Sequence, residues 1–77
     1  MPRKKRDIRR DYRAAGFDER QGKGDHKVYS HPLLKDDFVV TGADGKDALQ
    51  YDEKNLRQAR KELAEAKRWQ QPKGKQP

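Results

Sequence analysis

Apolar positions along this chain recur with two different periods, and the switches between them predict the order of its elements. Ile8, Tyr12 and Ala15 stand at i, i+4 and i+7, one face of a helix. Gly16 follows as a C-terminal stop, so a first helix is predicted over Lys5 to Ala15. From Phe17 to Gln21 the residues alternate, with Phe17, Glu19 and Gln21 against Asp18 and Arg20, which fits a short strand. Gly22, Lys23, Gly24 and Asp25 make a turn. His26 to Ser30 then predicts a second strand, with Lys27 and Tyr29 on one face and His26, Val28 and Ser30 on the other. Which face of the sheet His26 takes stays open, because a bulge at Gly24 inverts the parity. Pro32, after His31, ends that strand. Phe38 to Thr41 carries the strongest strand signal, being large, apolar and rich in β-branching. Gly42, Asp44 and Gly45 close it with turn chemistry. Asp52 is the expected N-cap of a second helix carried by Leu56, Ala59, Leu63 and Ala66.

Three antiparallel strands joined by short connections form a meander, and two amphipathic helices need a face to cover. The economical solution is an α+β fold, a two-layer α-β-β-β-α sandwich with a three-stranded antiparallel sheet and both helices on one face. At 77 residues the chain makes one domain whose core stabilises the fold by only a few kcal/mol. Any partner that binds only the folded state would add to that stability. Residues 1–4 are expected to form a basic disordered N-terminus, 5–69 the single domain, and 70–77 a disordered polar tail with two prolines. Charged residues make up 43% of the chain and hydrophobic ones 30%, near the composition of disordered proteins. The clustering of Ile8, Tyr12, Phe17, Val28, Phe38, Val39, Val40, Leu56 and Leu63 nevertheless argues for an ordered body.

With no cysteine, disulfides and thiolate metal sites are excluded. No apolar run approaches the roughly 20 residues that span a bilayer, and no signal-like apolar segment follows Met1. A cytoplasmic location, with no membrane contact, is therefore expected. The net charge of +7 is unevenly placed. Residues 1–10 hold six basic residues against Asp7, and from Lys67 onward four basic residues face no acid. The segment between them is slightly acidic. Cationic ends attract polyanions through a salt-sensitive, sequence-independent term, and they also occur as plain solubilising tails. The basic start of the first helix opposes the macrodipole, so a ligand-facing or solvated role is expected for it. Arg3, Lys4, Lys5 and Arg6 are the candidate nonspecific phosphate contacts.

Chemistry concentrates in the run from Arg20 to Pro32, where a glycine turn, several cations and His26 converge at the start of a strand. Cleaving an RNA backbone requires a proton taken from the 2′-hydroxyl or supplied to the leaving oxygen. Histidine suits either task, because its reference pKa lies near the working pH. Lys23, Lys27 and Arg20 are placed to neutralise charge developing on phosphate, and glycine N–H groups at Gly22 and Gly24 can bond its oxygens. A lone histidine opening a strand is otherwise an edge residue. Gly22-Lys23-Gly24 is too short for a nucleotide-binding P-loop. His31 reads as a turn residue, and a metal shared by His26 and His31 lacks a third ligand. Asp44-Gly45-Lys46-Asp47 lacks the alternating ligands of a calcium loop and reads as a turn. Neither cofactor nor metal is expected. Trp69 lies past the helical stripe and either packs on the domain or stacks on a base.

The same run resembles HicA-type toxins, the mRNA interferases of type II toxin–antitoxin pairs. Those proteins follow a first helix with Gly-Phe, then Arg-x-x-Gly-Ser-His or Lys-Gly-Ser-His leading into an aromatic-ended strand. The matching residues are Gly16-Phe17, Arg20, Gly22-Lys23-Gly24-Asp25-His26, Val28-Tyr29 and His31-Pro32, joined later by Val39-Val40-Thr41-Gly42, Asp47-Ala48 and the helix from Tyr51 to Leu63. The likeness spans about residues 5 to 66 and leaves the charged ends uncovered. It implies a fold like a double-stranded-RNA-binding domain, metal-independent cleavage of messenger RNA with His26 as the catalytic residue, and a HicB-like antitoxin partner. The family's Ser or Thr before the histidine is Asp25 here. A carboxylate there either weakens a general base, by repelling phosphate and retaining the imidazole proton, or orients the ring. Two other functions remain: a catalytically silent RNA-binding module of the same fold, and a basic protein-interaction domain.

Overall fold

The helical period of Ile8 and Tyr12 is realised in α1, Lys5–Ala14, in a computed structural model that describes residues 3–70, with side chains as far as Arg68. Expectations about residues 1–2 and 71–77, and about the Trp69 side chain, lie outside the described residues. Gly16, at φ +96°, stops α1 in the left-handed region that glycine enters without steric cost. The strands are β1 (Asp18–Gln21), β2 (Lys27–Ser30) and β3 (Phe38–Val40), followed by α2 (Gln50–Gln70). They form one antiparallel sheet in the order β1-β2-β3. Tyr29 lies opposite Glu19 on one side and Phe38 on the other, and Lys27 lies opposite Gln21 and Val40. These residues therefore share the sheet face that carries Tyr29 into the core.

Both helices cover that face, as the element order requires. Ile8 and Tyr12 from α1 and Leu56, Ala59 and Leu63 from α2 meet Phe17, Tyr29, Val40 and Ala48 in one buried cluster. The Tyr12 ring stacks on Tyr29 with centroids 4.6 Å apart, and Phe17 meets Tyr12 edge-on at 5.3 Å. Such aromatic pairs add about 0.5–1.5 kcal/mol beyond the area they bury. Burial pushes the Tyr12 hydroxyl up from its ordinary pKa, with the Asp52 charge adding to the effect. Val28 and Val39 point to the opposite face, which no helix covers, and Val39 is 41% exposed.

Four expectations need correction. Asp52 is not the N-cap: α2 starts earlier, at Gln50, and the Asp52 carboxylate instead accepts the Leu49 N–H at 2.8 Å from within the first turn. Arg3 and Lys4 are placed rather than loose, because the Arg3 carbonyl accepts the Ala48 N–H and Lys4 forms a β-bridge with Asp47. At the other boundary, the helical backbone continues through Gln70. Phe17 stands just before β1, its N–H bonded to the Tyr12 carbonyl, and all four β1 residues are exposed.

The basic start of α1 turns inward. The Lys5 ammonium donates to Asp52 at 2.7 Å, with both side chains nearly sealed from solvent. Removing one partner of such a pair leaves a buried charge and costs about 3–5 kcal/mol. Lys5→Met is therefore expected to unfold much of the population, and adding Asp52→Asn to recover part of the loss in urea denaturation. A Lys5→Met midpoint equal to wild type would show that the pair is not structural.

At the exposed edge, the Tyr29 hydroxyl donates to Glu19 and Arg13 pairs with the same carboxylate at 2.9 Å. The Tyr29 bond, then Arg13, hold the Glu19 carboxyl below its ordinary 4.5. A depressed folded-state pKa means that this stabilisation is present above about pH 4.5 and is lost as the pH falls through the folded value. In Tyr29→Phe, a carboxyl-resolved NMR titration is expected to move Glu19 back toward 4.5; an unmoved titration would break the link.

Candidate functional site

Two short hydrogen bonds shape the hairpin that presents His26. Gly22 N–H donates to the His26 carbonyl at 2.9 Å, and His26 N–H donates to the Lys23 carbonyl at 2.9 Å. Gly24 takes φ +57° at the tip. His26 N–H thus bonds Lys23 and not Gly22, so Gly22 and Lys23 both face His26 where the ladder runs into the turn. A side chain on Gly22 would meet the His26 Cβ at 3.2 Å and a Val28 methyl at 3.4 Å. His26 accordingly lies beside Val28 on the helix-free side of the sheet, exposed, and Gly22 is small because those two neighbours occupy its space.

The cations predicted around His26 divide between the two faces. Arg20 lies opposite Val28 on the open face, paired with Asp37 at 3.2 Å, and Lys23 is exposed in the turn. Lys27 is placed differently: it shares the core-side face with Tyr29 and donates to the Gln21 amide oxygen at 2.7 Å. It is thereby directed away from His26, for the plain reason that neighbouring strand residues alternate.

Asp25 does not engage the imidazole. Its carboxylate accepts the Gly42 N–H at 3.3 Å, reaching across to the end of β3. Among the described residues no hydrogen bond joins it to the His26 ring. Its backbone carbonyl is held by Arg9, which is 4% exposed and also donates to the Val40 and Gly42 carbonyls and to Asp44. Arg9 thus fastens the base of the hairpin to the end of β3. The sequence signal for it was available: a cation four residues after Lys5 and one after Ile8, on a helix face that had to be buried.

His31 has a local role, accepting the Leu33 N–H at its Nδ1 at 3.1 Å, with its ring edge-on to Phe17. Asp44 and Asp47 lie around a turn closed by Lys46 N–H on the Ala43 carbonyl, and they take Arg9 and Lys4. Lys4 holds the Asp47 carboxyl below its ordinary range. Among the described residues no group of three metal-ligating side chains converges.

The four N-terminal cations named as phosphate contacts stand in different settings. Lys5 is buried and reaches no ligand. Arg3 is taken up by Asp11 and Glu53, and Lys4 by Asp47; Arg6 alone of the four is exposed without an ion pair among the described residues. Sequence reading missed a second basic surface. Lys54, Arg57, Lys61 and Arg68 line one exposed face of α2, and Leu49 and Tyr51, each about half exposed, border a shallow groove at its start. No helix among the described residues is long and apolar enough to cross a membrane. Comparison with protein-family models, with curated proteins and with solved structures yields no match.

Neutralising the N-terminal cluster should act on stability and neutralising the turn should act on polyanion binding. Arg3→Gln is expected to lower the melting temperature by a few degrees. Lys23→Gln should leave it unchanged, and if the turn meets a polyanion such as RNA the salt slope of that binding should fall by about 1. The reverse pattern would mean that Arg3 faces ligand despite its two carboxylate partners.

Proposed function

We propose that the protein binds RNA at the β1–β2 turn and cleaves its backbone with His26 as the acid–base group, the activity implied by the resemblance to HicA-type toxins. One observation carries the reading: His26 stands exposed beside the Lys23 turn on the helix-free face, while the neighbouring Asp25 carboxylate is drawn off to Gly42. That placement keeps the carboxylate off the ring and reduces its repulsion of an incoming phosphate. The α-β-β-β-α order agrees with a fold like a double-stranded-RNA-binding domain.

In such a reaction the RNA 2′-oxygen attacks the adjacent phosphorus and the bond to the 5′-oxygen breaks. The products are a 2′,3′-cyclic phosphate and a 5′-hydroxyl. His26 takes the 2′-proton or supplies one to the leaving oxygen, and Lys23 offsets charge on the phosphate. A HicB-like antitoxin covering the open face, and a cytoplasmic setting, complete the proposal.

A second reading, a silent RNA-binding module, is favoured by a different fact. No other acid–base group among the described residues hydrogen-bonds the His26 ring, and Asp25 stands where the HicA-type toxins carry Ser or Thr.

Incubating the protein with a structured messenger RNA in EDTA separates the two. Wild type is expected to cut, and His26→Ala to be slower by about 10²–10⁴-fold with its fold intact. Equal cutting by His26→Ala would remove the histidine from the mechanism. If neither cuts while both bind, and Asp25→Ser gains cleavage, the silent module is the better description.

A further inference from the structure

Of the three large apolar side chains left exposed among the described residues, Val39 lies on the sheet, and Leu49 and Tyr51 lie together. Both line the groove at the start of α2, with Gln50, Glu53, Lys54 and Arg57 completing its walls. Neither belongs to the buried cluster or packs against it. Both are nevertheless held in place. The Leu49 N–H donates to Asp52, and its carbonyl accepts from the Asp52 and Glu53 amides. The Tyr51 ring centre lies 5.9 Å from the Lys5 ammonium. A solitary exposed leucine is ordinary, but two fixed apolar side chains in one concave site form a patch that adds nothing to the core.

The free charge around the groove has one sign. Glu53, the acid in its wall, is taken by Arg3 through hydrogen bonds of 2.9 and 3.1 Å. Lys54 and Arg57 are exposed, and neither has a carboxylate within 4 Å among the described residues. From there the cations continue through Lys61 and, beyond the acid Glu65, to Arg68. Their helical spacing puts them on one side of α2, about half a turn from Leu56, Ala59 and Leu63, which face the core. The row therefore looks outward from the helix layer, whereas His26 stands on the helix-free side of the sheet. It runs about 21 Å, four helical turns.

We propose that this surface docks an acidic, amphipathic segment of a partner protein. The segment's apolar side chains would enter the Leu49–Tyr51 groove, and its carboxylates would meet Lys54, Arg57 and Lys61. An apolar centre beside a charged rim is how protein interfaces are built, and a helix laid along α2 supplies both at spacings of three and four. A phosphodiester chain would use the cations but leave Leu49 uncovered. A second copy of this chain, at +7, brings the wrong sign of charge. The inference does not rest on the RNA reading, because this surface and His26 belong to opposite sides of the sheet.

The test selects peptides from a displayed random library on the full-length chain, then measures the enriched peptides by fluorescence anisotropy and amide-resolved NMR. Enriched sequences should be acidic, with apolar residues three or four apart, and their NMR shifts should centre on Leu49, Tyr51, Lys54 and Arg57. Leu49→Ser should weaken an enriched peptide about ten-fold. Lys54→Glu combined with Arg57→Glu should weaken it at least as much. Lys35→Glu combined with Lys46→Glu changes the net charge equally but away from the groove, and should cost no more than about two-fold. These side chains are all exposed, so each variant should keep the core signals of Tyr29 and Leu56.

Equal weakening by the Lys35 and Lys46 reversals would reduce the attraction to net charge and overturn the proposal. A library whose enriched peptides are acidic without apolar residues, or bind Leu49→Ser as well as wild type, would overturn it too. An oligoribonucleotide that shifts Leu49, Tyr51 and Lys54, where no peptide is enriched, would assign the surface to nucleic acid and exclude the protein partner.

Discussion

Burying a lysine in a domain this small is costly unless its charge is met, and in this fold the Lys5–Asp52 pair meets it. The two groups are 2.7 Å apart and close to fully enclosed. Asp52 also accepts the Leu49 N–H, so the same carboxylate that neutralises Lys5 ends the exposed backbone at the start of α2. The Lys5 stem passes under Gly42, whose missing side chain would come within 3.2 Å of it, and its ammonium sits 5.9 Å from the centre of the Tyr51 ring. One side chain therefore fixes the relation between the start of α1, the end of β3 and the start of α2. Gly42 answers two demands at once, the Lys5 approach and its own φ of +92°.

One turn further along α1 the device is repeated with a different readout. Arg9 sits on the same face as Lys5 and gathers the carbonyls of Asp25, Val40 and Gly42. A guanidinium is suited to this because its donors lie in one rigid plane and remain charged at any relevant pH. Lys5 joins helix to helix, and Arg9 joins helix to the hairpin. The His26 turn is consequently rooted at its base by a buried cation and shaped at its tip by the exposed Gln21 amide, which donates to the Gly24 carbonyl. An isolated two-stranded hairpin is only marginally stable; this one borrows its order from both ends.

The order of elements was legible because each carries its own period: Ile8 and Tyr12 at helical spacing, Phe38 to Val40 as a short β-branched run, Leu56 to Leu63 as a stripe. Element ends were legible where glycine or proline marked them, and not at Asp52, whose capping chemistry looks the same from inside the first turn as from the cap position. The second strand followed from pattern, except that β2 begins at Lys27 and leaves His26 one residue before it, and the environment of His26 did not follow. Spacing gave Lys27 no preference over Lys23, although alternation sends Lys27 to the core-side face, away from His26, and leaves Lys23 in the turn. Above all, charge patterning treats a cation as a surface group, whereas Lys5 and Arg9 are buried by partners 47 and 35 residues away in Asp52 and Asp44. Pairings at that distance leave no trace in a local window.

That misreading changes what the net charge of +7 means. Arg3, Lys4, Lys5, Arg9, Arg13 and Arg20 each face a carboxylate within 4 Å, so the basic N-terminal segment contributes far less to the outer field than its composition suggests. Pairs at the surface are screened and weak, but they still place a negative charge beside each positive one. Among the described residues the exposed cations with no carboxylate within 4 Å lie mostly elsewhere: Lys23 in the turn, Lys35 and Lys46 in the loops, and Lys54, Arg57, Lys61, Lys67 and Arg68 along α2, with Arg6 on α1. The Lys5 ammonium lies 5.9 Å from the centre of the Tyr51 ring, the Lys5 stem lies where a Gly42 side chain would reach, and Gly42 N–H donates to Asp25, so the start of the α2 surface and the His26 turn lie toward the same end of the molecule. A polyanion drawn to this protein would meet most of its unpaired charge on the turn, the loops and α2, and less of it on the basic run with which the sequence begins.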